Sequence, residues 1–177
     1  MSLLDGRTGH DSAGMQEKPL LYVDVDGVIS LWGFDPDERP PGAFAVVDGI
    51  PHFLSQEAGR HLLALSDVFE LVWCTGWEEK ANEHLLSPLG LPTPLHYLSF
   101  DEHREPGHTT PGHWKLGALT AHAGDRPLAW IDDAFNDACH RWAAARGAPT
   151  LLVATSPSSG LVSSHARELL AWANGGW

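Results

Sequence analysis

Basic side chains are scarce in this chain: 11 Lys and Arg stand against 23 Asp and Glu, a formal net charge of −12 over 177 residues. Such a surface repels a phosphate backbone and argues against nonspecific nucleic-acid binding. It leaves room for a small phosphate, or a nucleic-acid end, in a locally positive, metal-containing pocket. Long apolar runs are lacking too, none approaching the roughly 18 residues that cross a bilayer, so no membrane partner is expected. Residues 1–18 are polar and contain glycine without the apolar centre of a secretory leader, and are expected to form a disordered arm. Cysteine is nearly absent. Cys74 and Cys139 fall in an expected strand and an expected helix, and read as small buried hydrophobes of a reducing cytoplasm rather than as a disulfide. With 43% hydrophobic residues, no internal repeat and no low-complexity linker, residues 19–177 are expected to form one domain.

Five apolar, β-rich runs alternate with stretches of helical spacing. The expected strands are Leu20–Asp24, Phe69–Cys74, Leu95–Phe100, Leu128–Ile131 and Thr150–Ala154. The expected helices are Gln56–Ser66, Glu78–Leu86, Trp114–His122, Phe135–Arg146 and Ser163–Trp172, with Gly90 and Gly147 as stops. The alternation implies an α/β fold, a doubly wound, Rossmann-like sheet of five parallel strands with helices on both faces. Residues 27–51 stand apart. They are rich in Pro and Gly (Pro36, Pro40, Pro41, Gly42), carry Trp32, Phe34 and Phe44, and read as a flap or hairpin over the sheet end.

In open α/β sheets, ligands bind beyond the carboxyl ends of the strands, so polar residues at strand ends carry the functional signal. The first strand, Leu20-Leu-Tyr-Val, runs into Asp24-Val-Asp26-Gly27. The period of 2 would turn both carboxylates to one side, an arrangement for a divalent cation. The second strand ends in Thr75-Gly76, and Lys115 opens the helix before the fourth strand. That strand ends in Asp132-Asp133, with Asp137 four residues on. These types suit phosphate chemistry. Mg²⁺ takes hard oxygen ligands and screens a doubly negative monoester from an attacking carboxylate. A hydroxyl, backbone N–H groups and a lysine hold the phosphoryl oxygens. One carboxylate attacks phosphorus to give an aspartyl-phosphate, and another protonates the leaving oxygen and then activates water.

Asp24-Val-Asp26-Gly-Val, the strand-end Thr75, Lys115, and Asp132-Asp133 with Asp137 occur in the order of the haloacid dehalogenase (HAD) superfamily of phosphohydrolases, which this chain resembles. The resemblance spans residues 20–137 and implies a HAD-like fold with a short flap and no separate cap domain. It implies Asp24 as nucleophile, Asp26 as general acid/base, Thr75 and Gly76 at the phosphoryl group and Lys115 on its charge. Mg²⁺ would lie on Asp24, the Asp26 carbonyl and Asp133, with Asp132 in a supporting or water-mediated place and Asp137 supporting. Trp73-Cys-Thr-Gly-Trp77, Ala81-Asn82, Leu89-Gly-Leu-Pro92 and Gly160-Leu161 further resemble the HAD domains associated with "Swiss Army Knife" RNA-repair proteins. That likeness implies substrates with phosphorylated nucleotide or nucleic-acid ends.

Rival readings remain at this stage. Trp32 and Trp77 lie beside the expected site, where they stack on a base or sugar face or serve as packing. Lys80 competes with Lys115, Thr75 can be a turn residue, and Asp132 can cap the next helix. His103, His108 and His113 lack zinc spacing and read as loop histidines. A response-regulator receiver shares Asp, Thr, Lys and Mg²⁺, but its phosphoacceptor lies on the third strand. A toprim-type nuclease would need an early glutamate that is not well placed here. The alternatives to a nucleotide-directed phosphatase are a phosphatase of a small metabolite and a catalytically silent HAD-fold binding module.

Overall fold

The computed structural model describes residues 17–100 and 113–176. Of the expected N-terminal arm, residues 1–16 lie outside the described residues, as do His103 and His108. Lys18 is tied down: its Nζ donates to the Ser66 carbonyl at 2.9 Å, and its own carbonyl accepts from Arg126 at 2.7 Å.

The central sheet contains β1 (Leu20–Val23), β5 (Glu70–Trp73), β6 (His96–Tyr97), β7 (Leu128–Asp132) and β8 (Thr150–Ala154), every pair parallel, in the order β6-β5-β1-β7-β8. Numbering these five strands along the chain gives 3-2-1-4-5, the Rossmann-type order; a receiver winds 2-1-3-4-5, so that rival falls. The chain builds β5 and β6 on one side of β1, then crosses to β7 and β8. The switch point therefore lies between β1 and β7, and the carboxyl ends there are where open α/β sheets bind ligands.

Alternation along the strands builds a core on each face. Leu21, Val23, Leu71, Trp73, Ala129 and Ile131 pack against α1 (Gln56–Leu65), α2 (Glu79–Leu89) and α5 (Ser163–Asn174) through Leu62, Leu85 and Leu169. Leu20, Tyr22, Val72, Leu128 and Trp130 face the other way, toward Ala118 and Leu119 of α3 (Leu116–Ala123) and Cys139 of α4 (Asp137–Ala145). Both cysteines are buried and free. No helix among the described residues is long and apolar enough to cross a membrane.

Three expected elements differ from the structure. The third strand shrinks from Leu95–Phe100 to the two residues of β6, an edge paired with β5 at Val72↔His96 and Trp73↔Tyr97 and by the Leu98 N–H donating to the Trp73 carbonyl. Asn82 fastens that edge: its side-chain oxygen accepts from Trp73 Nε1 and the Leu95 N–H, and its amide donates to the Leu95 carbonyl. The third helix starts at Leu116 rather than Trp114, with Lys115 at its N-cap. The flap extends past residue 51. β2 (Ser30–Leu31), β3 (Gly42–Val47) and β4 (Ile50–Ser55) form an antiparallel sheet in the order β2-β4-β3, and β4 feeds straight into α1. Asp48 and Gly49 close the β3–β4 hairpin with φ of 50° and 80°, the all-positive pair that a two-residue hairpin needs and that Asp-Gly provides.

Candidate active site

The carboxyl ends of β1 and β7 gather four of the expected side chains: Asp24, Lys115, Asp132 and Asp133. β1 stops at Val23, and the Asp24 N–H makes the last tie to the sheet, donating to the Ile131 carbonyl of β7 at 3.1 Å. The Val25 carbonyl then accepts from the N–H groups of Val28, Ile29 and Ser30, which makes a tight turn. The pleat ends before Asp26, so the turn rather than the period of 2 positions its carboxylate, close enough for its charge to act on Asp133. Asp24 is buried; Val25 N–H donates to its Oδ1 at 2.8 Å and Lys115 Nζ to its Oδ2 at 2.7 Å. Lys115 Nζ also donates to Asp132 Oδ2 at 2.6 Å. One ammonium thus spans the ends of two neighbouring strands.

Asp132 is fully buried and its acceptor sites are well used. Beside Lys115, Trp130 Nε1 donates to Oδ2 at 3.1 Å and the Ala134 N–H to Oδ1 at 3.0 Å. It does not cap α4; Asn136 does, accepting from the Ala138 and Cys139 N–H groups. Asp133 is half-buried and packs against the tight turn: a Cβ added to Gly27 would lie 2.4 Å from Asp133 Oδ2. Thr155 Oγ1 holds the same turn by donating to the Gly27 carbonyl at 2.9 Å. Asp24, Asp132 and Asp133 each offer a carboxylate oxygen, all within 4.8 Å of one another.

The electrostatics follow from that crowding. Burial, reinforced by the Asp132 charge and only partly offset by Lys115, pushes the Asp24 carboxyl up to about 7. Burial and the charges of Asp132 and Asp26 raise Asp133 as well. For Lys115, burial works against the charge, but the Asp24 and Asp132 carboxylates outweigh it and hold the ammonium above the ordinary lysine range. Three carboxylates around one lysine leave an excess of negative charge on hard oxygen donors, which fits a divalent cation such as Mg²⁺. The donors to fit it are Asp24 and Asp133, whose oxygens carry fewer partners than those of Asp132.

The remaining expected residues divide. Asp26 lies outside the carboxylate cluster; Trp77 Nε1 donates to its Oδ2 at 3.1 Å. Thr75 is buried directly after β5, beside the end of β1, and its hydroxyl oxygen weakly accepts the Trp77 N–H at 3.4 Å. Its turn character and its strand-end position coexist. Gly76 lies 3.8 Å, at a notional Cβ, from the tip of the Trp114 ring. Trp32 is 49% exposed on the flap, its N–H donating to the Pro157 carbonyl in the loop after β8. Asp137 is exposed in the first turn of α4, where a negative charge complements the helix dipole. Lys80 pairs with Asp48 at the flap tip, not with the site. His113 supports the site from behind: its ring meets Trp130 edge-on at 5.3 Å and its Nδ1 accepts the Lys115 N–H at 3.4 Å. Burial, ahead of the neighbouring charges, keeps it below the usual histidine range.

Sequence reasoning missed Trp130, Gly27 as the seat of Asp133, and His52. Trp130 carried a usable signal, since it precedes Asp132 by two residues on one strand and so shares its face. His52 carried none, because a histidine in a hairpin strand has no distinguishing spacing. No family model and no curated protein matches this chain.

Proposed function

We propose that the chain is a Mg²⁺-dependent phosphatase of the haloacid dehalogenase type, hydrolysing phosphate monoesters through an aspartyl-phosphate on Asp24. The observation that carries the proposal is Lys115 Nζ bridging Asp24 and Asp132 at adjacent strand ends, with Asp133 completing the carboxylate cluster. Acid, amine and hydroxyl at a switch point suit the charge of phosphoryl transfer.

Mg²⁺ held by Asp24, Asp133 and the Asp26 carbonyl would screen the substrate's negative charge. The protein's own groups then divide the work. Val25 N–H and Lys115 Nζ fix the rotation of the Asp24 carboxylate from its two ends. An Asp24 oxygen forms a bond to phosphorus as the bond to the ester oxygen breaks, and Asp26 passes a proton to that departing oxygen. The Thr75 hydroxyl, the backbone at Gly76 and Lys115 take the phosphoryl oxygens. In the second half Asp26 accepts a proton from water, which attacks phosphorus, releases inorganic phosphate and restores Asp24. Asp132, engaged by Lys115, Trp130 and Ala134, orients the lysine rather than the cation.

The substrate reading follows the likeness to RNA-repair HAD domains: a phosphate on a nucleotide or nucleic-acid end, with the exposed Trp32 at the flap to meet a base. The test is Mg²⁺-dependent phosphate release from an aryl phosphate by wild type and Asp24→Asn, followed by phosphate-ended oligonucleotides beside small metabolites. Metal-dependent activity that Asp24→Asn abolishes is expected. Equal activity in both proteins would remove Asp24 as the nucleophile. Metal binding with both proteins inert would make the chain a binding module, and activity confined to metabolites would move the substrate class.

A further inference from the structure

We infer that Trp77 is a positioning residue for Asp26, and that the flap sets its place through His52; this rests on the phosphatase reading above. Indole offers one N–H and no acceptor, and here that N–H is spent on Asp26 Oδ2 at 3.1 Å. The contact occupies one carboxyl oxygen and leaves Oδ1 as the oxygen to carry the proton toward the leaving group. Trp77 thereby acts on Asp26 as an orienting group through its N–H.

The ring is itself fixed. His52, on β4 of the flap, meets the Trp77 ring edge-on with centroids 4.7 Å apart and planes at 68°. His52 Nδ1 lies 2.9 Å from Ser30 Oγ in a hydrogen bond. Ser30 is buried and forms a β-bridge with Asp26, closing a circuit of Asp26, Trp77, His52 and Ser30. Two of its members belong to the antiparallel flap sheet and one to the loop after β5. A second tie joins the same two bodies, the Lys80–Asp48 ion pair between α2 and the hairpin tip. The backbone after Trp77 is strained in support: Glu78 takes φ 49° and ψ −126°, held by its Oε1 accepting the Phe100 N–H at 3.0 Å.

The inference separates proton delivery from nucleophilic attack, so leaving-group chemistry tests it. A nitrophenolate departs without help, whereas an alkoxide needs a proton. Trp77→Phe keeps the ring and removes the N–H. It is expected to lower kcat for alkyl phosphates by about 10²-fold, the lower end of what general acid catalysis supplies, while 4-nitrophenyl phosphate changes little. His52→Ala, which spares the indole, is expected to show a smaller loss with the same leaving-group dependence. In an Asp26→Asn background Trp77→Phe is expected to add no further loss, the signature of two residues acting as one. Uniform slowing of all esters by both variants, or full additivity with Asp26→Asn, would overturn the inference while the phosphatase reading stands. A wild type that releases no phosphate from any ester removes the reading and the inference together.

Discussion

Lys115 Nζ lies 2.7 Å from Asp24 Oδ2, with both side chains almost wholly buried. The same ammonium also serves Asp132, so its removal strands two carboxylates out of water. Breaking a buried pair by deleting one partner costs about 3–5 kcal/mol, and Lys115→Met is expected to lose stability in that range at pH 8. The loss shrinks at pH 5, where Asp24 can take up a proton and shed its charge. Lys115 itself titrates above the ordinary lysine range. Its stabilisation of wild type is therefore complete below the unfolded lysine pKa and disappears only at strongly alkaline pH. Urea unfolding of both proteins at the two pH values checks this; an equal loss at both would contradict it.

Asp24→Asn probes the opposite sign. The native carboxyl titrates at about 7 against 3.8 for the free group, because burial and Asp132 disfavour its charge. An acid with a raised native pKa binds its proton more tightly when folded, so wild type loses stability as pH rises from about 4 to about 7. Asparagine does not titrate. In metal-free buffer the stability difference is expected to move in the variant's favour across that window and to level off above it. The total change is bounded at about 4 kcal/mol by the size of the shift. Any constant offset, such as the amide facing Lys115, cancels from the trend. A pH-independent difference would show that the folded site leaves the Asp24 carboxyl titrating as it does in the unfolded chain.

The same protonation competes with metal. A cation binding Asp24 must displace the proton, so apparent Mg²⁺ affinity is expected to rise between pH 6 and 8 with release of protons. Calorimetry in two buffers of different ionisation enthalpy reads that release directly. Asp132→Asn leaves Asp24 and Asp133 in place and loosens Lys115. Its cost in Mg²⁺ affinity is expected at about 10–100-fold, the range for outer-shell partners, and affinity unchanged by the substitution would detach Asp132 from the site.

Much of this arrangement was legible because it follows from periodicity. Strand–helix alternation gives the parallel sheet, and a parallel sheet sends Asp24, Thr75 and Asp132 to one edge whatever the loops do. Lys115 was legible from its place before a helix that leads into β7. What escaped depends on where a chain leaves its regular element. β1 ends one residue before Asp24, so the turn, not the pleat, sets Asp26; no alternation pattern marks that boundary. The flap's extension to Ser55 was signalled by Asp48-Gly49, although proline and glycine around it pointed to irregular chain. The Trp77–Asp26 and His52–Trp77 contacts join residues 51 and 25 positions apart, and only the folded sheet brings them together.

Gly27 tests the seat of Asp133. Its φ of 72° is the left-handed region, and a Cβ there would lie 2.4 Å from Asp133 Oδ2 and 2.5 Å from its Cγ. Gly27→Ala therefore carries two separable effects. The backbone strain costs roughly 1–2 kcal/mol, in a turn whose Val25, Val28 and Ile29 are themselves buried in the core. The overlap is different: the added methyl would also lie 2.7 Å from Asp133 Cβ, so the whole side chain, not only its carboxylate, must shift. Asp133 is expected to be displaced from the cluster, so Mg²⁺ binding should fall together with a stability loss larger than the strain alone. Paired measurements decide it, urea unfolding for the strain and metal titration for the ligand. If Gly27→Ala binds Mg²⁺ as tightly as wild type while losing only the strain energy, Asp133 is not a ligand and the cation rests on Asp24 and Asp132 instead.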